Sequence, residues 1–356
     1  MELQPPILQA IVGELHIRKT YLSKVPIHSI YIGGTPSLLT ASDLSTLLET
    51  IEHHFAVNKK VEITLEADPK DITWAQLQAW QAIGINRLSI NVQSFQNAVL
   101  EYLNINHTGQ HAVEGMQWAH KAGFDNVSID LVYAIPGVDQ VLWEADLKTV
   151  QQLQPAHVAA YDMPTTQATI AANSATANKH TPVPETAVVK QFETLIAHLA
   201  AAGYEHYEVG HFCQPGRYAQ HNTNYWKRGP YLGLGPGAHS YDGATRQYNT
   251  KDEQHYIASL QRGVVPCTKE ILTRSNHINE YIMTHLRTQW GCNMQWLQTQ
   301  YGHALMQTHK HYVAQLTEHG LATVVGQQLS LTQRGMLLAD RIAVDLFVDE
   351  THVQTA

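Results

Sequence analysis

A helix end, a glycine and a strand start recur along this chain, and that repeat narrows what the chain can fold into. Ala82-Ile83-Gly84-Ile85-Asn86, Ala122-Gly123-Phe124-Asp125-Asn126 and Ala202-Gly203-Tyr204-Glu205 all follow the pattern. Glycine at such a point supplies the left-handed residue that stops a helix. Gly84 and Gly123 lie about forty residues apart and Gly203 about twice that further on, the lengths of one and of two strand–helix units. His157–Asp162 supplies the strand in between. Strands near residues 29, 61, 87, 126, 157 and 204, joined by helices, predict an α/β chain with a parallel, barrel-like sheet.

The strand Ser29-Ile30-Tyr31-Ile32 runs straight into Gly33-Gly34-Thr35-Pro36-Ser37, and a helical pattern begins near Ala41. Two glycines leave backbone N–H groups that a ligand can approach closely. Alone, such a pair is a tight strand-to-helix turn. The next strands change its meaning. Val61–Leu65 runs into Glu66-Ala67-Asp68-Pro69, Arg87–Val92 into Gln93-Ser94-Phe95, and Asn126–Ile129 into Asp130-Leu131-Val132-Tyr133. A polar residue stands at the C-terminal end of each strand, the rim on which parallel α/β sheets build their sites.

Before the first strand, Leu8, Ile11, Val12, Leu15 and Leu22 fall on one helical face that Pro26 should end. The amino terminus has neither a basic nor an apolar signal region, and no apolar run is long enough to span a bilayer. A net charge of −8 argues against a nucleic-acid surface. The three cysteines, Cys213, Cys267 and Cys292, form no CxxC pair, which suits a reducing cytoplasm and supplies no metal site. Thr165–Pro184 is rich in Ala, Thr, Asn and Pro and reads as a mobile loop. From about Gly210 the composition turns aromatic, glycine-rich and histidine-rich. From Ile271 it is helical again, with a hairpin over Leu321–Leu331 and a helix capped by Thr332. That order resembles a winged helix, but five Lys/Arg against six Asp/Glu in residues 271–356 make a DNA-reading surface a poor expectation.

Eight stretches together are more specific. Tyr31–Ser37, Glu66–Pro69, Asn86–Phe95, His107, Asn126–Pro136, His221–Trp226, Gly233–Ser240 and Asn279–Thr288 occur in the order found in one family. The chain resembles the oxygen-independent coproporphyrinogen III oxidase-like radical S-adenosylmethionine proteins. Its His221-Asn222-Thr223-Asn224-Tyr225-Trp226 motif resembles that of the HemW branch, the haem chaperones. The resemblance implies a partial (β/α) barrel over residues 1–210, here without its first strand. It also implies an aromatic, glycine-rich segment over 211–270 and a mainly helical, winged-helix-like domain over 271–356. By the same resemblance Gly33, Gly34, Thr35, Glu66, Gln93 and Asp130 line an S-adenosylmethionine site, and His221, Asn222, Tyr225 and Trp226 a haem or porphyrin site.

The chain also departs from the pattern. The CxxxCxxC loop that would hold a [4Fe–4S] cluster is not in this sequence, so no metal ligand is assigned. Two glycines stand where the family has three, and Ile105 stands where an arginine is expected. Asn91 and Ala134 replace glycines, and Thr166-Gln167-Ala168 replaces Glu-Pro-Gly. Glu66 and Asp130 read equally as sheet-end residues bonded to backbone. Among 22 histidines His221 stands out only through its aromatic company. Tyr231, Tyr241 and Tyr248 extend that wall or pack a seam, and His239 and Arg246 are candidates for porphyrin propionates. Three functions follow. The first is a cytoplasmic haem chaperone serving an unknown acceptor protein, with no catalytic residue assigned. The second is a shortened radical enzyme of porphyrin metabolism. The third is an inert paralogue kept as an interaction protein. Without the thiolates, nothing in this sequence delivers the electron for reductive cleavage of S-adenosylmethionine.

Overall fold

Alternation along the strands decides which side of the sheet is polar. The computed structural model describes residues 5–22, 25–34, 39–163 and 183–349. Thr35, Pro36, Ser37 and Thr166-Gln167-Ala168 lie outside them, as does nearly all of the Thr165–Pro184 stretch. Seven strands form one curled sheet: β1 (Ile27–Ile32), β2 (Val57–Ala67), β3 (Arg87–Gln93), β4 (Val127–Tyr133), β5 (His157–Asp162), β6 (Glu205–Glu208) and β7 (His211–Cys213). Their spatial order is β1-β2-β3-β4-β5-β7-β6, with β1 at one edge.

One set of alternate residues is apolar and faces the helices. Leu65, Leu88, Ile90 and Ile129 are fully buried against Leu44, Leu77, Trp80, Met116 and Leu147. Burying each such side chain stabilises the fold by about 2 kcal/mol. The other set forms the concave inner face, and it is polar. Register pairs Ser29 with Glu62, Tyr31 with Thr64, Thr64 with Arg87, Glu66 with Ser89, and Ser89 with Ser128. It continues from Ser128 to His157, from Asp130 to Ala159 and from Ala159 to His211.

Two expectations need correction. The first five strands are parallel and β6 runs the same way, but β7 between β5 and β6 is antiparallel to both. The strand near 204 therefore turns back on itself, and β7 takes the place next to β5. Gly210 permits this, since a Cβ there would lie 2.7 Å from the Ala160 carbonyl oxygen. The first helix, α1 (Pro5–Ile17), also stops well before Pro26, leaving Leu22 in the turn that follows.

After β7 comes the short helix Gln220–Trp226 and an antiparallel sheet of β8 (His239–Tyr241), β9 (Thr245–Asn249) and β10 (Cys267–Ile271). Glu14, fully buried on α1, fastens that sheet to the helix. It accepts from Asn249 Nδ2 at 2.8 Å, Gly235 N at 3.0 Å and Tyr256 Oη at 2.5 Å, and pairs with Arg18 at 2.8 Å. Helices from Arg274 onward pack around a small sheet of β11 (Cys292–Asn293), β12 (Ala322–Val325) and β13 (Gln328–Leu331), with their own apolar core about Ile282, Leu286 and Leu297. Among the described residues no helix is long and apolar enough to cross a membrane.

Candidate functional site

The helix Gln220–Trp226 has no side-chain cap of its own. A helix start leaves unsatisfied N–H groups with partial positive charge, which a carboxylate can meet. Glu62 of β2 does so here: it is 4 % exposed and accepts from the backbone N–H groups of Gln220 at 3.2 Å and His221 at 3.1 Å. The helix is thereby pinned over β1, and its faces are fixed.

Residues four apart share a helical face. His221 and Tyr225 accordingly line one cavity of about 1300 Å³, bounded by α1, the edge strand β1 and the 230–239 loop. Its walls are largely apolar, with Leu8, Ile11 and Leu15 from α1 and Leu232 and Leu234 from the loop. The His221 ring stacks on Tyr31, with centroids 4.8 Å apart and planes at 21°, and meets Tyr225 edge-on at 4.9 Å. Its Nδ1 lies 3.4 Å from Ser29 Oγ. Burial, helped by the Arg87 charge, lowers the His221 pKa to about 4. The imidazole is therefore neutral at physiological pH.

Asn222 and Trp226 do not line that cavity. The Asn222 amide donates to His211 Nε2 at 3.1 Å. The Trp226 ring lies under the Arg287 guanidinium at 5.5 Å. Trp226, which the resemblance puts in the porphyrin site, is turned away from this cavity, since five residues along a helix carry the indole to another side. Of the more distant candidates, His239 lines the cavity, whereas Arg246 is taken by Glu280 at 2.5 Å. Tyr231 stands edge-on to Tyr225 at 4.6 Å and pairs through its backbone with Tyr241.

The strand-end residues gather on the inner face. Glu66 accepts from Tyr31 Oη at 2.6 Å and from Gly34 N at 2.7 Å. Gly34 has φ +93°, a conformation that favours glycine. Gly33 leaves room that a Cβ would take, 2.8 Å from the Tyr31 ring and 3.1 Å from Glu66 Oε1. Gln93 closes β3 with φ +62°. Burial pushes the Asp130 carboxyl up to about 6, against the pull of Arg87 and His211. Thr35 lies outside the described residues.

Several inner-face neighbours were not among the residues singled out from the sequence. Arg87 is 2 % exposed and has no ion pair among the described residues. His157 is held by Ser128 Oγ and Tyr207 Oη, each at 2.8 Å. His211 is gripped through Nδ1 by Glu208, which pairs with Arg287 Nε at 2.9 Å. The available signal was polar residues at period two inside strands that should otherwise be apolar. The cysteines sit apart on β7, β10 and β11, and no group of three metal-binding side chains occurs among the described residues.

Residues 17–149 match the Radical SAM superfamily, and residues 272–338 match the HemN C-terminal domain. The chain is 32 % identical over 338 residues to the heme chaperone HemW of Mycobacterium tuberculosis, covering 94 % of this chain and 84 % of that protein. It is 28 % identical over 327 residues to that of Lactococcus lactis, covering 91 % and 86 %. In fold it is similar to the coproporphyrinogen III oxidase HemN of Escherichia coli, with a TM-score of 0.81 at 22 % identity over 96 % of this chain and 82 % of that one. The superfamily implies S-adenosylmethionine and a [4Fe–4S] cluster, but the described cysteines do not converge as cluster ligands. By these likenesses the chain belongs to the HemW haem-chaperone family of radical SAM proteins.

Proposed function

We propose that this protein binds haem in the cavity between α1, β1 and the Gln220–Trp226 helix, with His221 as the iron ligand, and passes it to an acceptor protein. The observation that carries the reading is the single neutral imidazole of that helix, set between Tyr31 and Tyr225 on the wall of an apolar cavity. A neutral imidazole is a good axial ligand, and apolar and aromatic walls suit a porphyrin face. The cavity is at least as large as ordinary ligand sites, which supports a ligand of porphyrin size.

S-adenosylmethionine would lie on the concave face, held by Gly33, Gly34, Glu66, Gln93 and Asp130. Glu66 and Asp130 are carboxylates on adjoining parts of that face and suit a ligand bearing ammonium and sulfonium charge. No step is assigned to a cluster, because the described residues do not supply its ligands.

A Soret titration tests the haem reading. Wild type should give a shifted, saturable band, His221→Ala should lose most of it, and Tyr225→Ala should weaken it. Trp226→Ala should change it least, since the indole is not on the cavity wall. An unaltered band in His221→Ala would place the iron elsewhere.

A further inference from the structure

Tyr31 touches both candidate sites. Its ring stacks on His221, and its hydroxyl donates to Glu66 Oε1, whose partner oxygen receives the Gly34 N–H. Burial, then the Glu66 charge and hydrogen bond, raise the Tyr31 pKa far above its ordinary value, so the hydroxyl keeps its proton and remains a donor. The same ring and carboxylate fill the space in which a Gly33 side chain would sit.

These contacts give one tyrosine two restraints. Tilt of its ring is set by Glu66 on β2, and tilt of the His221 imidazole is set by that ring together with Tyr225 and Ser29. The imidazole's own polar restraint is slight, since the Ser29 contact is 3.4 Å long. An axial ligand works only if its lone pair points at the metal, and ligand orientation is commonly fixed by groups that do not touch the metal. We propose that Tyr31 is the positioning residue of the haem site: it aims the His221 imidazole and, through Glu66, ties that aim to the Gly33–Gly34 loop. This rests on the haem reading above, and it adds a residue and a connection that the reading does not require.

A double-mutant cycle separates positioning from simple contact with the ligand. Haemin is titrated into wild type, Tyr31→Phe, Tyr31→Leu, Glu66→Gln and His221→Ala, and into Tyr31→Leu combined with His221→Ala, with circular dichroism checking that each is folded. Tyr31→Leu should weaken haem binding about tenfold, a coupling of the size seen between residues in contact, and move the Soret band toward that of His221→Ala. Tyr31→Phe keeps the stack but loses the tether, and should fall between wild type and Leu. Glu66→Gln has one acceptor oxygen for two donors, so it loses the Tyr31 hydroxyl or the Gly34 N–H and should fall with Tyr31→Phe between wild type and Leu. In the His221→Ala background, Tyr31→Leu should have no further effect. Additive losses, or a wild-type Soret band in Tyr31→Leu, would overturn the positioning role while leaving His221 as ligand. A wild-type band in His221→Ala would overturn the haem reading, and with it this inference.

Discussion

The Asn222 side-chain amide donates to Nε2 of His211 at 3.1 Å, joining the short Gln220–Trp226 helix to β7 of the sheet. His211 is fixed in turn by Glu208, and Glu208 by Arg287 of the C-terminal region. Arg287 also covers Trp226. Two residues of the motif helix therefore lead back to one arginine, although neither faces the cavity. Asn222 and Trp226 anchor the helix, and His221 and Tyr225 are what the helix presents.

Arg287→Met should destabilise the protein by about 3 kcal/mol, the cost of leaving a buried carboxylate short of its partner. Glu208 is 1 % exposed, and burial works to raise its pKa, but His211 and Arg287 outweigh that and hold the carboxyl below the usual range. The second Arg287 contact, to Asp340 at 2.6 Å, is exposed and should contribute little. Urea unfolding of Arg287→Met and Asp340→Ala measures the two. A loss smaller than about 0.5 kcal/mol in Arg287→Met would mean that Glu208 finds other partners.

Acid should weaken the fold in two separate windows. Burial lowers the pKa of His221, His285 and His303 to about 4 in each case. Unfolded, these histidines titrate near 6.5. A group whose folded pKa is depressed contributes stability that is whole above its unfolded pKa and is lost as pH falls toward the folded value. The histidine window therefore runs from about 6.5 down to about 4. Carboxylates held low, Glu208 among them, act only below their unfolded pKa, near 4. Asp130 opposes the histidine window, because its folded pKa is raised to about 6 and its protonation on the way down to about 4 relieves it. Urea midpoints measured across the upper window should fall with pH. His285→Gln and His303→Gln should flatten that fall, and Asp130→Asn should steepen it while raising stability at neutral pH. A midpoint that does not move across the upper window would count against the buried neutral histidines.

Much of the fold was legible because its signals are local. The runs around Ile63, Ile90 and Ile129 are β-branched and bounded by glycine or a capped helix, and each became a strand within a few residues of the expected place. The β6–β7 reversal was not legible, because its turn at Val209-Gly210 depends on Gly210 meeting Ala160, a contact between distant parts of the chain. The rim residues Glu66, Gln93 and Asp130 were singled out by their place at strand ends, and the order of motifs supplied the expected cofactor role. Arg87, His157 and His211 were missed because the period-two polar pattern marks an inner face without saying which of its residues meet, and pairing across distant strands brings them near one another. The split within the motif helix is different, since helical phase alone separates Trp226 from His221, five positions apart.

Iron and sulfide offered to this chain without oxygen should not be retained as a cluster. A [4Fe–4S] cluster needs convergent thiolates. Burial pushes the Cys213 and Cys292 thiols up to about 12, and Cys267 is exposed on a different sheet. After desalting, iron and sulfide analysis should find far less than one cluster per chain. Roughly four iron and four sulfide per chain would show that ligands assemble in a way the described residues do not suggest.

With 22 histidines in the chain, haem should still select one of them. A ligand must offer a nitrogen lone pair that nothing else occupies. His157 has Ser128 on one nitrogen and Tyr207 on the other. His211 has Glu208 on Nδ1, while Nε2 faces the Asn222 amide and the Tyr161 hydroxyl at 3.1 and 3.3 Å. His285 uses Nδ1 on the Tyr281 carbonyl and packs flat against that ring at 3.8 Å. His221 differs: its only side-chain hydrogen bond among the described residues is the long one from Nδ1 to Ser29, so Nε2 has no protein partner there. His157→Gln, His211→Gln and His285→Gln should therefore leave the Soret position where wild type has it, even where they lower the melting temperature. His211→Gln should weaken haem binding by a few-fold through Asn222, as a loosened helix would, without changing the ligand spectrum. Resonance Raman spectra of the four single variants, His221→Ala included, distinguish these outcomes. A ligand signature lost in His157→Gln or His211→Gln and kept in His221→Ala would move the iron from the cavity to the concave face of the sheet.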